Sequence, residues 1–433
     1  MHFLSWLFLA FLLAGTVLRL WLASRQMRAV AAHRDHVPAP FADVVSAEQH
    51  RKAAEYTITR SRAGIVETVI DAALLALWTL GGGLYLIDQA WRNVDLGPLW
   101  TGTGMILSTF MIMTLLALPF SAYRTFVIEE RFGFNKTTPA LFVTDLLKGA
   151  VLMIVLGAPL SFAILWLMRG AGDLWWLYAW LVWTGFSLAL TWAWPAFIAP
   201  LFNKFSPLQN EPLRARIEAL LERCGFRSKG IFVMDGSRRS AHGNAYFTGV
   251  GNSKRIVFFD TLMASLEHGE VEAVLAHELG HFRMRHVRKR LLLGFAFSLL
   301  GFALLGWLEM QAWFYTALGI DTPSPHAALI LFLLVVPVFL FPLTPLGAWL
   351  SRRHEFEADA YAAGQSDARA LIAALVKLYR DNASTLTPDP VHSAFYDSHP
   401  PAGTRIARLK ELRAKVPDTG TPLRRQAPGT GAP

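Results

Sequence analysis

The feature that most constrains this chain is a series of seven apolar stretches, each long enough to cross a lipid bilayer. A hydrocarbon core about 30 Å thick requires about 20 apolar residues of α-helix. Helices also satisfy their own backbone polar groups inside a bilayer, so we expect an all-α integral membrane protein. The seven predicted spans lie at residues 3–22, 65–87, 99–121, 146–168, 174–197, 291–317 and 327–350.

Composition supports this interpretation. The 433 residues are 53% hydrophobic and 17% charged, whereas soluble proteins carry about 25% charged residues. The first span is expected to be retained, although residues 29–31 resemble a signal-peptide cleavage site, because no Lys or Arg precedes its long apolar core. The single cysteine, Cys224, excludes an internal disulfide and a cysteine-based zinc site.

The distribution of positive charge predicts the orientation of the spans. With the N-terminus outside, 38 of the 41 Lys and Arg residues fall in inside segments, two fall in outside segments, and Arg19 lies within the first span. This is the positive-inside pattern of membrane proteins. The net charge of +9 is therefore attributed to membrane topology, and we expect no nucleic-acid partner. The inside segments are 23–64, 122–145 with Lys148, 198–290 and 351–433.

The predicted organisation alternates membrane and inside-facing parts. Residues 1–200 hold spans one to five, 201–290 form an inside-facing peptidase segment, 291–350 hold spans six and seven, 351–416 form a second catalytic segment, and 417–433 form a disordered tail. The inside segments should fold as a small α+β part. Its predicted helices are 212–223, 269–290, 351–363 and 366–380, and its predicted strands are 231–234, 245–248 and 255–260, with a turn at 249–252.

The pentapeptide His277-Glu278-Leu279-Gly280-His281 carries the chemistry. Two histidines four apart on a helix lie on one face, where both can bind one metal ion. The intervening Glu278 is placed to take a proton from a water molecule beside that ion. Gly280 leaves room near the metal. The alternative is a surface helix with two solvated histidines, and the apolar stripe of this helix argues against it.

A catalytic zinc site needs a third protein ligand. A third histidine six residues after His281 is absent, because position 287 is Val. The best candidate is Glu355, which shares a helical face with Asp359; Asp359 can orient a ligand histidine. An ordinary solvated juxtamembrane helix is the alternative for this segment. His286 and His354 are rival ligands, but neither falls at a useful turn.

Together these motifs resemble the type I CAAX prenyl proteases, which are integral-membrane zinc peptidases. The resemblance covers about residues 1–415, and we expect a bacterial homologue. It implies seven tilted helices that form a barrel around a water-filled chamber. The broader HtpX-like proteases share the zinc motifs but have fewer spans. The segments that carry the resemblance are 129–138 (EERFGFNKTT), 244–247 (NAYF), 277–281 (HELGH), 355–359 (EFEAD) and 398–401 (SHPP).

The resemblance implies roles for residues in the metal site. By family pattern, His277, His281 and Glu355 bind one Zn²⁺ per chain. Glu278 is the general base, and Asp359 is a hydrogen-bond partner of the ligand set.

It also implies substrate contacts. The strand Asn244-Ala245-Tyr246 would hold the substrate backbone by strand addition. His399 would donate to the developing oxyanion as a catalytic residue, and Arg405 would orient it or meet a substrate carboxylate. From residues alone, His399 before two prolines predicts only a rigid turn.

Charged residues within the predicted spans fit a chamber. Ionisable groups at that depth are costly in lipid and usually face a cavity or partner. Glu67 and Asp71 are four apart in span two and could share the face that lines the chamber, with Arg19 in span one.

The sequence thus predicts a zinc metalloendopeptidase of the gluzincin type. Its expected substrates are peptides or proteins, including lipidated or membrane-associated ones. The alternatives are an HtpX-like quality-control protease, a polytopic transporter with an incidental motif, and a scaffold with a structural metal. We expect a monomer in the bacterial inner membrane with its site on the cytoplasmic side, or in the endoplasmic reticulum membrane of a eukaryote.

Overall fold

The computed structural model describes residues 2–248 and 255–415. The predicted turn at 249–252 and the predicted tail at 417–433 lie outside these residues. The first half of the chain forms the helices α1 (Phe3–Ala32), α2 (Ala47–Trp78), α3 (Gly83–Val94), α4 (Pro98–Tyr123), α5 (Pro139–Gly170), α6 (Trp175–Ala193) and α7 (Ala199–Phe202).

An α+β segment follows, and then further helices. The segment contains β1 (Phe205–Pro207), α8 (Glu211–Arg223), β2 (Ile231–Met234), β3 (Ala245–Thr248), β4 (Arg255–Phe259), α9 (Asp260–Ser265) and α10 (His268–Arg283). The remaining helices are α11 (His286–Glu309), α12 (Ala312–Thr316), α13 (Pro325–Leu340), α14 (Thr344–Gln365), α15 (Ala368–Asp381), α16 (Pro390–Tyr396) and α17 (Ala402–Lys415).

The long apolar helices close into a ring. Around it, α1 packs on α2, α2 on the end of α4, α4 on α5, α5 on α6, α6 on α11, α11 on α13, and α13 again on α1. Among the described residues, six helices are long and apolar enough to span a membrane, and a seventh span arises if α2 and α3 are counted together. The expectation of a helical membrane barrel is confirmed.

Three predicted helix boundaries are wrong. Span 65–87 is not one straight helix, because α2 and α3 are bent by 49° at a glycine run in which Gly82 has φ +79°. The helix predicted at 269–290 ends at Arg283, and Arg285 with φ +58° starts a new direction for α11. The last span breaks at Phe341–Leu343, which contains a proline, and α14 then runs on through the segment predicted as a separate helix at 351–363.

One end of the barrel is closed around a buried ion cluster. Nε2 of His326, on α13, lies 2.7 Å from Oδ1 of Asp88 on α3, and Arg92 donates to the other oxygen at 2.7 Å. Apolar side chains of α3, α4, α5 and α13 surround the cluster. A buried carboxylate persists in such surroundings because both of its oxygens are paired.

The charged residues predicted in the spans line a cavity or pair with a charge on a neighbouring element. Arg19 lies over the ring of Phe341, 4.1 Å from its centroid, and lines a cavity together with Asp71. Glu67 forms an ion pair with Arg124, next to the π-helical turn that ends α4.

The sheet has the strand order β1-β2-β4-β3. β2 and β4 are parallel, and the two outer strands are antiparallel to their neighbours. Strands were predicted at β2, β3 and β4, whereas the three-residue β1 was too short to predict. Side chains of α8, α10 and α15 pack with the sheet in one core. Within the described residues β3 is an edge strand, and this edge lies beside the site described next.

Candidate metal centre and active-site cleft

Helix α10 carries the pentapeptide and is held firmly in place. Glu267 and Glu270 form a reciprocal capping box at its N-terminus. A Cβ added to Gly280 would lie 2.9 Å from the Cα of Ala358, so α10 and α14 approach closely at this point. Gly280 therefore serves helix packing, and this close approach brings Glu355 to the two histidines. The buried apolar face of α10 comprises Val271, Val274, Leu275 and Leu279.

His277, His281 and Glu355 form a compact cluster whose ligand atoms lie within 4.8 Å of one another. The Nε2 atoms of the two histidines are 3.3 Å apart. Each lies 3.3 Å from a different oxygen of Glu355. Ligand atoms about 2.0–2.1 Å from a tetrahedral zinc are about 3.3–3.4 Å from each other, so the spacing of the two Nε2 atoms fits such an ion and the carboxylate lies close enough to complete the set. Oε2 of Glu355 is also buried without a hydrogen-bond partner in the described part of the chain.

A buried ion pair between Asp359 and Arg405 orients His277 through the ring nitrogen that points away from the metal cluster. Nδ1 of His277 lies 2.9 Å from Oδ1 of Asp359, which leaves Nε2 free for a metal. Arg405 donates to both oxygens of Asp359, at 2.6 and 2.9 Å. The sequence placed Arg405 among the substrate-binding residues, but two of its N–H groups are committed to Asp359. Burial lowers the pKa of His277, yet contacts with Asp359 and Glu355 raise it to about 9.

His281 is oriented by a hydrogen-bond chain that the sequence did not predict. Its Nδ1 lies 3.0 Å from Nδ1 of His286, and Nε2 of His286 lies 3.0 Å from Oε2 of Glu357. All three groups are satisfied when His281 donates to His286 and His286 donates to Glu357. His354 stacks on His286 with ring centroids 4.0 Å apart. The sequence analysis treated His286 and His354 as rival ligands, and the structure places both outside the cluster of His277, His281 and Glu355.

The sequence contained a signal from which this chain of hydrogen bonds could have been predicted. His286 begins α11 immediately after the break that follows α10, and the expectation of an unbroken helix hid its return toward His281. Glu357 is rotated away from Glu355, and that rotation aims it at His286.

Glu278 lies between two cavities. It lines one of about 290 Å³ and another of about 630 Å³. Burial raises the pKa of Glu278, and the Glu355 carboxylate raises it further, whereas His277 and His281 lower it; the net direction is upward. A carboxylate with a raised pKa is a stronger base for a water proton than an exposed one.

His399 lines both cavities as well. Its Nε2 lies 3.5 Å from Oε1 of Glu355, and its side chain is 59% exposed. Ser398 contacts its Nδ1 at 3.0 Å. The loop before α17 therefore brings a polar N–H to the mouth of the metal cluster, where sequence reasoning alone found only a rigid turn.

The predicted substrate strand borders the same cleft. Asn244 and Ala245 line the smaller cavity, and Tyr246 lines the larger one. The carbonyl of Asn244 accepts from the N–H of Phe259 on β4 at 3.0 Å. In an antiparallel pair, successive residues direct their backbone N–H and C=O groups alternately toward the partner strand and away from it. Asn244 bonds to β4, so Ala245 and Phe247 direct their backbone groups to the open edge of β3.

Tyr379 was not predicted from the sequence but shares the smaller cavity with His277 and Glu278. It lies on α15, and burial raises the pKa of its hydroxyl, which keeps that group a donor at neutral pH.

Sequence comparisons match nearly the whole chain to one family. A family profile described as the N-terminal part of CAAX prenyl proteases, with five membrane helices, matches residues 26–204. The profile of peptidase family M48 matches residues 207–413, which include the metal cluster.

Individual relatives cover between 70% and 94% of the chain. The CAAX prenyl protease 1 homolog of Oryza sativa subsp. japonica is 33% identical over 94% of this chain and 97% of its own. The Homo sapiens homolog is 32% identical over 94% and 96%, and CAAX prenyl protease 1 of Saccharomyces cerevisiae is 37% identical over 70% and 71%. The crystal structure of S. mikatae Ste24p superposes with a TM-score of 0.86 at 30% identity, covering 94% of this chain and 99% of that one.

These similarities confirm the family resemblance and do not favour the transporter or scaffold alternatives. A metallopeptidase family implies a metal, and the cluster of His277, His281 and Glu355 has the donor set and spacing to hold one. The chain belongs to peptidase family M48 and is a multi-pass membrane metallopeptidase that acts on peptide or protein substrates.

Proposed function

We propose that this protein is a zinc-dependent endopeptidase of the gluzincin type, in which His277, His281 and Glu355 hold one Zn²⁺. The observation that carries the proposal is the compact donor cluster, in which the two Nε2 atoms lie 3.3 Å apart and each lies 3.3 Å from a different oxygen of Glu355. Two imidazoles and one carboxylate form an established catalytic zinc set that leaves a position open. A structural zinc would need a fourth protein ligand.

The substrate backbone binds along the open edge of β3. Backbone groups of Ala245 and Phe247 can pair with an extended peptide. The N–H of Ala245 now bonds to Oδ1 of its neighbour Asn244 at 2.8 Å, so the Asn244 side chain must turn away when a peptide binds. The two cavities that meet at Glu278 take side chains on either side of the cleaved bond.

Proton transfer is assigned to Glu278. Its carboxylate takes a proton from the attacking water and returns it to the leaving amine. His277, His281 and Glu355 would hold the zinc ion, which would supply Lewis acidity for the water and the scissile carbonyl. His399 donates a hydrogen bond to the carbonyl oxygen as negative charge develops there. Asp359 and Arg405 keep His277 in the orientation that this geometry requires.

The cleft is proposed to open at the inner face of the membrane, because most of the Lys and Arg residues lie on that side. Thr344, Gly347 and Ala348 of α14 line the larger cavity together with Val287 of α11. Both helices continue into spans, so membrane-associated or lipidated peptides are the proposed substrates. In a bacterium this face is cytoplasmic, and in a eukaryote the enzyme would lie in the endoplasmic reticulum membrane. We propose that the enzyme acts as a monomer.

The test is cleavage of internally quenched peptides by purified protein in detergent. Cleavage should stop with a chelator and return with added zinc. Glu278→Gln should retain zinc and lose cleavage by at least about a hundredfold, as expected for removal of a general base. Full activity in the chelated protein or in this variant would refute the proposal.

A further inference from the structure

The loop between α4 and α5 (residues 129–138) contains a sequence motif to which no chemical role has yet been assigned. Its backbone forms a short antiparallel contact with residues 239–241. The N–H of Lys136 donates to the carbonyl of Arg239 at 3.1 Å, and the N–H of Ala241 donates to the carbonyl of Phe134 at 3.0 Å. The hydroxyl of Thr137 donates to the Arg239 carbonyl as well, at 3.1 Å.

This contact is reinforced on both sides. The guanidinium of Arg239 donates to both oxygens of Asp145 on α5, at 2.8 and 2.9 Å. Within the loop, Nδ2 of Asn135 donates to Glu130 at 2.9 Å, and Oδ1 of Asn135 accepts from the N–H of Thr137 at 2.8 Å. The loop is therefore a rigid support anchored to the membrane barrel.

His242 links this support to the cleft. Its ring stacks on Phe134 with centroids 4.3 Å apart and planes 22° apart. Nε2 lies 3.4 Å from a Glu129 oxygen, and Nδ1 lies 3.3 Å from Oδ1 of Asn382 at the end of α15. Glu129 also accepts from the hydroxyl of Tyr56 on α2 at 2.6 Å.

Asn382 then fixes the residue before the substrate strand. Its Oδ1 accepts from the N–H of Gly243 at 3.0 Å, and its Nδ2 donates to the Gly243 carbonyl at 3.3 Å. Gly243, Asn244 and Asn382 line the cavity that also contains Glu278. Residues 239, 241, 242 and 243 are thus held from outside the sheet, and β3 starts two residues after the last of them.

We infer that the α4–α5 loop, acting through His242 and Asn382, positions the start of edge strand β3 relative to Glu278 and so determines how tightly a peptide substrate binds. The inference rests on the proposed function, since it assigns β3 to substrate binding. His242 is a positioning residue in this scheme. It couples the membrane helices α2, α4 and α5 to the substrate strand, while the metal cluster is held separately by α10 and α14.

The test compares His242→Phe with the wild-type protein. Phenylalanine can keep the stack on Phe134 but loses the polar contacts of the ring with Glu129, Asn382 and the Tyr56 hydroxyl. We expect KM for a quenched peptide to rise about tenfold, with kcat within about threefold of wild type, as for the loss of one or two hydrogen bonds that act on substrate binding. Zinc content should stay at the wild-type level. Hydrogen exchange in a peptide covering residues 243–248 should become faster.

Two matched variants complete the test. His242→Gln, whose amide can reach Asn382 or Glu129, should recover much of the KM. His33→Phe, a change in an exposed histidine at the end of α1, should behave as wild type. Unchanged KM and exchange in His242→Phe, with an active wild type, would overturn the positioning role alone. A zinc-loaded wild type that cleaves no peptide would overturn the proposed function and this inference with it.

Discussion

Replacing Arg405 by methionine tests how the metal cluster is supported. The side chains of Arg405 and Asp359 are 6% and 1% exposed, and their fork-to-fork contact has distances of 2.6 and 2.9 Å. Removing one partner of a buried pair leaves an uncompensated charge, which costs about 3–5 kcal/mol. For an inside-facing part of roughly 200 residues, this corresponds to a drop in Tm of about 6–20 °C.

The same substitution should weaken metal binding. Without Arg405, the Asp359 carboxylate is free to move from Nδ1 of His277, and loss of such an outer partner lowers metal affinity by about 10–100-fold. The assay is zinc competition with a chromophoric chelator, together with thermal unfolding in detergent. The double variant Asp359→Asn/Arg405→Met removes both charges and should recover at least about 1 kcal/mol of the stability loss.

A surface ion pair provides the control. The side chains of Arg214 and Glu218 form an ion pair and are 48% and 57% exposed, so Arg214→Met should cost at most about 1 kcal/mol. If Arg405 instead served only to bind a substrate carboxylate, Arg405→Met would raise KM and leave both Tm and zinc affinity unchanged. That result would refute the supporting role.

Three further predictions follow from the site. Gly280→Ala should push α14 away from α10, lower the free energy of unfolding by about 1–3 kcal/mol and lower the zinc content. Gly294→Ala is the control, because a Cβ there meets nothing within 4 Å, and it should be neutral in thermal unfolding. Equal Tm values for the two variants would contradict this. His286→Phe should lower zinc affinity by about 10–100-fold in the chelator assay, because His281 loses its orienting partner; unchanged affinity would exclude the hydrogen-bond chain. His399→Ala should lower kcat by about 10²–10³-fold with zinc retained, and an unchanged kcat in steady-state kinetics would remove it from the mechanism.

Much of the fold could be predicted because apolar length and charge distribution act over whole helices. A stretch of 20 apolar residues can form little other than a membrane-spanning helix. The strands β2 and β3 could be predicted because turn-forming residues follow each of them. The breaks were harder to predict. Gly81-Gly82-Gly83 is compatible with a helix or a bend, and only packing against neighbouring helices decides between them. The break at Arg285 could not be predicted from the sequence. Its left-handed backbone conformation is one that arginine rarely adopts.

The candidate site was predictable where its spacing is local. His277 and His281 belong to one helix turn, so their pairing follows from the sequence. Glu355 comes from another helix, and its placement depends on the contact of Gly280 with Ala358, which no local pattern encodes. The hydrogen-bond chain from His281 to Glu357 depends on the break before α11, so it became visible only in three dimensions.

The measurement that tests the central claim most directly is the zinc content of the purified protein and of variants in the proposed ligands. We predict one zinc per chain in the wild type, and loss of most of it in His281→Ala and in Glu355→Ala. Glu222→Ala, a change on the exposed surface of α8, should retain one zinc. A wild-type protein that binds no zinc under saturating conditions, or ligand variants that keep a full equivalent, would contradict the account.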